Sequence, residues 1–326
     1  VDRTYQWSIA TFLVLLTVAL AVFAGGFFSV DNVSDLATTV AMTAIVGCGA
    51  LLVIATGNID VSAGPIYAIA GFAAATGAKA GLSPVVCLAL GIGVGAALGL
   101  VNGVLVAVLQ LPSIIATLGT SSLFSGALVL GTGGANWVTD LPAAFTSLGQ
   151  GGWGPISVPV LFAVVILPLV WLLSTQTSAG RRVMAVGSNS EAARLVGIRV
   201  KLVEGATFVL NGIFLGIGAT LAVAYLGQAQ TNLGAGITFT ALTVAVVGGT
   251  DVFGGTGSVL GVTLAAVLIE MTDSALVFFH IDSLWAKALQ GLFILMALAM
   301  SVAQHRRSRR PLRLPWVRGR KAADHA

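Results

Sequence analysis

The residues of this chain that could do chemistry are carboxylates set inside apolar stretches. Asp60 lies in Ala55-Thr56-Gly57-Asn58-Ile59-Asp60-Val61-Ser62-Ala63-Gly64-Pro65, where glycine, an amide and hydroxyls interrupt an apolar run. A carboxylate placed there can cap a helix by accepting from the backbone N–H groups near Ser62 and Ala63. It can also stand in a pathway and bind a polar solute or hold a gate. Asp251 occupies a second break, Val247 to Ser258, which shares the pattern Gly-x-x-Asp-Val-x-x-Gly with the first. The pattern is compatible with an internal repeat, and the higher glycine content around Asp251 favours a turn-capping role. Glu270 and Asp273 are three residues apart and share a helix face. Such a pair suits a coupled proton or sodium site, or an outer helix end where the carboxylates are exposed or paired with Lys287.

Other chemistries are excluded. His280, His305 and His325 fall in a loop and a tail, so no intramembrane histidine serves as base or metal ligand. There is no Cys/His cluster and no carboxylate pair beside a nucleophile. Cys48 and Cys87 sit in apolar runs and read as small buried hydrophobes. No Lys-Ser/Thr follows Gly257, so the second glycine-rich break is not a nucleotide-phosphate loop. The chain is not an enzyme by this reading and binds no cofactor or metal. Asn102, Asn211, Gln228 and Gln230 are further polar groups near or within apolar runs, suited to hydrogen bonds between helices or to lining a cavity.

The elements that position these residues follow from composition. Hydrophobic residues make up 57% of the chain and charged residues 9%, with a mean hydropathy of +0.99. A soluble domain carries about 25% charged residues, so the chain is an integral membrane protein. Apolar windows of the length a span requires lie near 8–28, 36–56, 61–79, 84–109, 112–133, 156–174, 203–226, 237–252, 256–279 and 284–303. The expected fold is all-α and polytopic, with about ten transmembrane helices over residues 1–304. The first window exceeds a signal-peptide core and is followed by further spans. Gly91, Gly95, Gly99 and Gly103 recur every fourth residue, a smooth stripe for close helix packing.

Charge sets the orientation, since Lys and Arg accumulate in cytoplasmic loops. Residues 180–204 hold five of the sixteen Lys and Arg residues, and the segment 305–326 is a basic tail. Both are expected in the cytoplasm together with both termini. The loop 133–155, with Asp140 and no Lys or Arg, is expected outside. The tail serves orientation and attraction to anionic lipid rather than nucleic acid.

Within the basic loop, Ser188 to Val196 reads as a short amphipathic helix. Ser188 or Asn189 can cap it, Glu191 suits the positive end of its dipole, and Gly197 can end it. Ala192, Leu195 and Val196 share a face, with Ala193 and Arg194 between them. A capped basic helix is more than a loop closure needs, and it suits a grip by a cytoplasmic partner. In the window 112–133, Thr117, Thr120 and Phe124 share one face with Ser121 beside them. That hydroxyl-rich face could exchange weak hydrogen bonds with a passing solute, or its hydroxyls could bond back to helix carbonyls.

Four segments in register resemble the permease subunits of bacterial ABC importers for ribose, xylose, galactose, rhamnose and autoinducer-2. Thr56 to Gly64 is similar to the family's Gly-Gly-Ile-Asp-Leu-Ser-x-Gly, with Asn58 and Val61 as departures. Leu111 to Thr120 is similar to its Pro-x-x-Ile-x-Thr-Leu-Gly, Gly187 to Ile198 to its coupling helix, and Ala245 to Gly261 to its Val-Val-Gly-Gly-Thr…Gly-Gly-x-Gly-Ser. The likeness runs from Leu36 to Val302, and Tyr225 to Gln230 resembles the rhamnose and autoinducer-2 branches.

The resemblance implies a permease subunit for a small sugar or sugar-like solute in the bacterial inner membrane. It implies a second permease subunit, identical or homologous. It implies cytoplasmic ATPase subunits that bind ATP and Mg, and an extracytoplasmic substrate-binding protein. Ser188, Asn189, Glu191, Ala192, Ala193, Arg194, Leu195 and Gly197 would couple to the ATPase. Asn58, Asp60, Ser62, Thr117, Thr120, Ser121 and Phe124 would line or guard the pathway. The alternative is a stand-alone ion-coupled carrier using Asp60, Glu270 and Asp273.

Overall fold

The computed structural model describes residues 3–133, 137–282 and 284–308. The basic tail beyond Ser308 lies outside the described residues. Helices α1 (Arg3–Phe23), α2 (Val30–Ala55), α3 (Ala63–Lys79), α4 (Pro84–Gly103) and α5 (Ser113–Gly131) come first, with a π-helical turn Val104–Val108 extending α4. A loop with a two-residue strand β1 (Trp137–Val138), a short helix α6 (Ala143–Gln150) and a tight hairpin β2 (Gly152–Trp153) and β3 (Ile156–Ser157) leads to α7 (Val158–Gln176). Then follow α8 (Ser178–Ser188), α9 (Ser190–Leu195), α10 (Val200–Leu226), β4 (Ala229–Gln230), α11 (Ile237–Val247), α12 (Val259–Phe278) and α13 (Leu284–Ser308). The protein is all-α, polytopic and built for a membrane.

Each apolar window of the sequence falls on a helix: α1 to α5, α7 and α10 to α13. Among the described residues, six helical stretches are long and apolar enough to cross a membrane, namely α2, Pro84–Val108, α5, α7, α10 and α12. The window 237–252 shrinks to the eleven residues of α11, because Gly248 and Gly249 end the helix and Gly249 turns with φ +87°. Local signals set the other boundaries. Ser29 and Ser258 accept from the N–H groups of Asn32 and Gly261 at the starts of α2 and α12. Pro84 and Pro159 sit in first turns, where a missing N–H costs nothing.

The two ends of the bundle differ. At one end α8 and α9 form a helical hairpin leading into α10. At the other, α6 packs on the far end of α10, where the Gln150 side chain donates to Tyr225 O at 2.9 Å, and β1 pairs antiparallel with β4. The core lies among α2, α3, α10, α11 and α12, around Ile45, Leu51, Ile66, Leu215, Leu221 and Ile269, all essentially buried.

The glycine stripe of α4 finds its partner on α10. A Cβ on Gly91 would strike Thr220 Oγ1, one on Gly95 would strike Gly212 O, and one on Gly99 would strike Phe208 O. A Cβ on Gly103 would come within 2.9 Å of Gly205 O. Gly205, Gly212 and Gly216 of α10 supply the facing stripe, so two backbones touch with almost no side chain between them.

Candidate functional site

The break between α2 and α3 is the polar centre of the molecule. Gly57 leaves α2 with φ +80°, and residues 58–62 run non-helically among α4, α5 and α10. Asp60 is 5% exposed. Its Oδ1 accepts from the Ser62 N–H at 2.9 Å and the Ser62 hydroxyl at 2.7 Å, and from the Asn102 amide at 3.4 Å. Its Oδ2 accepts from the Asn211 amide at 2.9 Å. Asp60 thus closes a turn on Ser62 just ahead of α3 rather than capping the helix, and two other helices are tied to the same carboxylate. Asn102 Nδ2 also donates to Ser62 Oγ at 2.6 Å, and Asn102 Oδ1 accepts from Thr120 Oγ1 at 2.7 Å. Asn211 Oδ1 is buried without a partner.

The backbone of the break is satisfied by α5 and α11. Ser113 Oγ accepts from Ile59 N–H at 3.2 Å, and Thr117 Oγ1 accepts from Val61 N–H at 3.0 Å. Thr238 Oγ1, in the first turn of α11, accepts from Gly64 N–H at 2.9 Å and donates to Val61 O at 3.2 Å. Irregular backbone survives inside a membrane protein only with partners of this kind. A Cβ on Gly64 would lie 2.5 Å from Gly234 O, so the start of α3 and the segment before α11 touch through glycine.

The residues expected along the pathway thus divide. Thr117 and Thr120 are buried and bonded within the subunit, Thr117 also to its own helix at Ser113 O (2.7 Å). Phe124 is buried beside them, Ser121 is half-buried, and Asn58 is half-buried with its amide on Thr56 Oγ1 at 3.1 Å. Asn102 and Asn211 complete the node. Each stood out in the sequence as a polar group within a span, but nothing there joined them to Asp60.

The second break packs against the first. Gly255 N–H donates to Ala55 O at 2.9 Å. A Cβ on Gly254 would lie 2.8 Å from Gly57 N and 2.9 Å from Gly187 O. The two Gly-x-x-Asp-Val-x-x-Gly segments therefore meet at the α8–α9 end, with different roles for their carboxylates. Asp251 turns its own loop by accepting from Phe253 N–H at 3.0 Å. Glu270 accepts from Thr43 Oγ1 at 2.6 Å, and Asp273 accepts from the Gln290 amide at 3.5 Å. The expected partner Lys287 pairs with neither, and among the described residues the one ion pair joins Arg194 to Glu191 at 4.0 Å.

The helix expected in the basic loop is α9. Asn189, not Ser188, caps it, accepting from Ala192 N–H at 2.9 Å. Ser188 ends α8 instead, its hydroxyl donating to Met184 O. Gly197 leaves α9 with φ +84°. Ala193 is buried with Val186 and Val200 and fastens the helix to the subunit. Ala192 is exposed, and Leu195 and Val196 are 88% and 78% exposed. Helix α8, capped by Thr177, was not separated from the loop in the sequence.

A buried hydrogen-bond node that holds broken helices together, beside an amphipathic helix presented to water, belongs to the machinery of solute passage through a bilayer: the class is a membrane permease. The family profile described as "Branched-chain amino acid transport system / permease component" matches residues 32–298. The chain belongs to this family and is a permease subunit of an ABC importer. Similar relatives include three "Autoinducer 2 import system permease protein LsrC" sequences. That of Enterobacter sp. (strain 638) is 35% identical over 259 residues, 78% of this chain and 74% of the relative. That of Yersinia pseudotuberculosis serotype O:3 (strain YPIII) is 31% identical over 295 residues, 88% and 81%. That of Salmonella paratyphi B is 35% identical over 290 residues, 87% and 83%. No solved structure matches the chain. Membership in the family displaces the stand-alone ion-coupled carrier.

Proposed function

We propose that the chain imports autoinducer-2 or a similar small, hydroxylated, sugar-like solute across a bacterial inner membrane. It pairs with a second permease subunit, identical or homologous. It has ten spans, with both termini and the α8–α9 segment in the cytoplasm. A substrate-binding protein delivers the solute from outside, and cytoplasmic ATPase subunits bind ATP and Mg and hydrolyse the nucleotide. The cargo is that named for the relatives. The solute path runs along α5 on the side of Ser121, with Asn58 and the Asp60 node at its inner end.

The observation that supports this reading most is the exposed apolar face of α9. Burying a Leu or Val side chain contributes about 1.5–3 kcal/mol, and Leu195 and Val196 leave that gain to a partner. Gly197 fixes how the helix is presented, since proline cannot adopt φ +84°. In liposomes holding the permease, its ATPase and its binding protein, Leu195→Asp and Gly197→Pro should lower both uptake and stimulated ATP hydrolysis by at least about tenfold, with insertion unchanged. Wild-type rates of both in these variants would refute α9 as the docking helix. Failure to take up autoinducer-2 or any related sugar would refute the cargo.

A further inference from the structure

A polar cleft of about 540 Å³ lies along the flank of α9. It is lined by Asn58 from the first break, Gln110 and Ser113 from the start of α5, Glu191 and Arg194 from α9, and Glu204 from α10. We infer that this cavity binds a small neutral polyhydroxylated solute, and that the solute reaching it from the α5 path restrains the docking helix.

The chemistry of the lining selects that class. Glu191 and Arg194 from α9 and Lys201 and Glu204 from α10 give the lining two carboxylates and two cations, so its formal charge is zero and neither phosphate nor amine is preferred. Carboxylates accept from hydroxyl groups, while guanidinium, ammonium and amide N–H groups donate to hydroxyl and carbonyl oxygens. The Glu204 carboxylate lies near both the Asn58 amide and the Arg194 guanidinium. Among the described residues the exposed Gln110 side chain makes no hydrogen bond, and it is available to a ligand. The volume falls within the roughly 300–1,000 Å³ of small-molecule sites. No aromatic ring lines the cavity, so no stacking adds to the hydrogen bonds, and binding is weak enough to release a transported solute.

The geometry links the cavity to coupling. On a helix of 3.6 residues per turn, Ser190, Glu191 and Arg194 fall on one side of α9 and line the cavity. Ala193 faces the subunit, and Ala192, Leu195 and Val196 continue round the exposed surface from Glu191. A solute bridging Glu191 and Arg194 to Glu204, Asn58 and Gln110 therefore ties the flank of α9 to the segments before α5 and at the start of α10, beside the Leu195 and Val196 that the ATPase grips. The node at Asp60 begins two residues beyond Asn58, so the same solute also touches the inner end of the path. High internal solute then slows its own import.

This inference rests on α9 as the docking helix, and the experiment separates the two. Solubilised permease alone is titrated with autoinducer-2, L-rhamnose and D-ribose by calorimetry, with inorganic phosphate and ethanolamine as controls. At least one hydroxylated probe should bind saturably and the controls should not. Glu204→Gln and Gln110→Ala should each weaken that binding by about tenfold, the effect of one lost charge-assisted or amide hydrogen bond. In the reconstituted importer, the same probe inside the vesicles should slow stimulated ATP hydrolysis several-fold in the wild type and not in Glu204→Gln. No saturable binding, binding unchanged in both variants, phosphate competition, or ATPase rates indifferent to internal probe would each overturn the proposal. If Leu195→Asp leaves coupling intact while the solubilised permease still binds probe, the docking assignment fails and the cavity stands as a solute site without control over α9.

Discussion

Asp60 divides its two oxygens between near and far partners. Oδ1 closes the local turn on Ser62, and Oδ2 reaches Asn211 across 151 residues of sequence. Removing the carboxylate leaves buried donors on Ser62, Asn102 and Asn211 without an acceptor, each costing about 1–3 kcal/mol. Asp60→Leu should therefore lower the detergent Tm and the yield of inserted protein far more than Asp60→Asn, which keeps the shape and one acceptor oxygen. Equal Tm values for the two variants would show that the node does not stabilise the fold. Gly49 is the silent member of the site. A Cβ there would lie 2.5 Å from Asn211 Oδ1 and 3.1 Å from Asn211 Cα. Gly49→Ala should destabilise by about 1–3 kcal/mol, read as a fall in Tm, and a wild-type Tm would mean that α2 and α10 part easily there. In the sequence Asp60, Ser62 and Asn58 were legible because they break an apolar run. Their partnership with Asn102 and Asn211 was not, because long-range hydrogen bonds leave no local pattern.

At the scale of elements, α9 was legible because capping chemistry is local: Asn189 before it and Gly197 after it mark its ends. Its neighbour α8 was hidden, since Arg181 and Arg182 read as loop and its Thr177 cap closes the preceding span. Helix α11 was overestimated because Val252 and Phe253 extend the apolar composition past the turn at Gly248 and Gly249. The stripe on α4 was legible by its four-residue period, while the facing glycines of α10, at 205, 212 and 216, keep no single period. Their contact makes a specific demand. Gly95→Leu would drive a side chain into the backbone of Gly212. It should abolish stable accumulation of the subunit, whereas Gly93→Leu on the outer face, with open space around it, should be tolerated. Equal accumulation of the two variants, measured by quantitative blotting of membranes, would contradict the packed seam.

At the scale of the whole molecule, the succession of apolar windows marks the order of helices, and the fold follows that order. The convergence of the two glycine breaks at the α8–α9 end was legible only as a shared motif. Orientation is tested by labelling. Position 145, central in the loop 133–155, is a buried phenylalanine, so the exposed Ser147 is the site to label. In a background lacking Cys48 and Cys87, an impermeant maleimide applied from outside should modify Ser147→Cys and spare Arg182→Cys; the reverse pattern would invert the topology. The seam between α4 and α10 has one more consequence. Interdigitated side chains act as teeth, and helices locked by them must separate before they shift. Backbone against backbone has no teeth. Helix α10 is a rod of 27 residues, about 40 Å long, seated at one end against α9 and at the other against α6. On its α4 side it lies in a smooth bearing, so a small axial shift passed along it from the α9 end towards α6 meets no teeth at that seam.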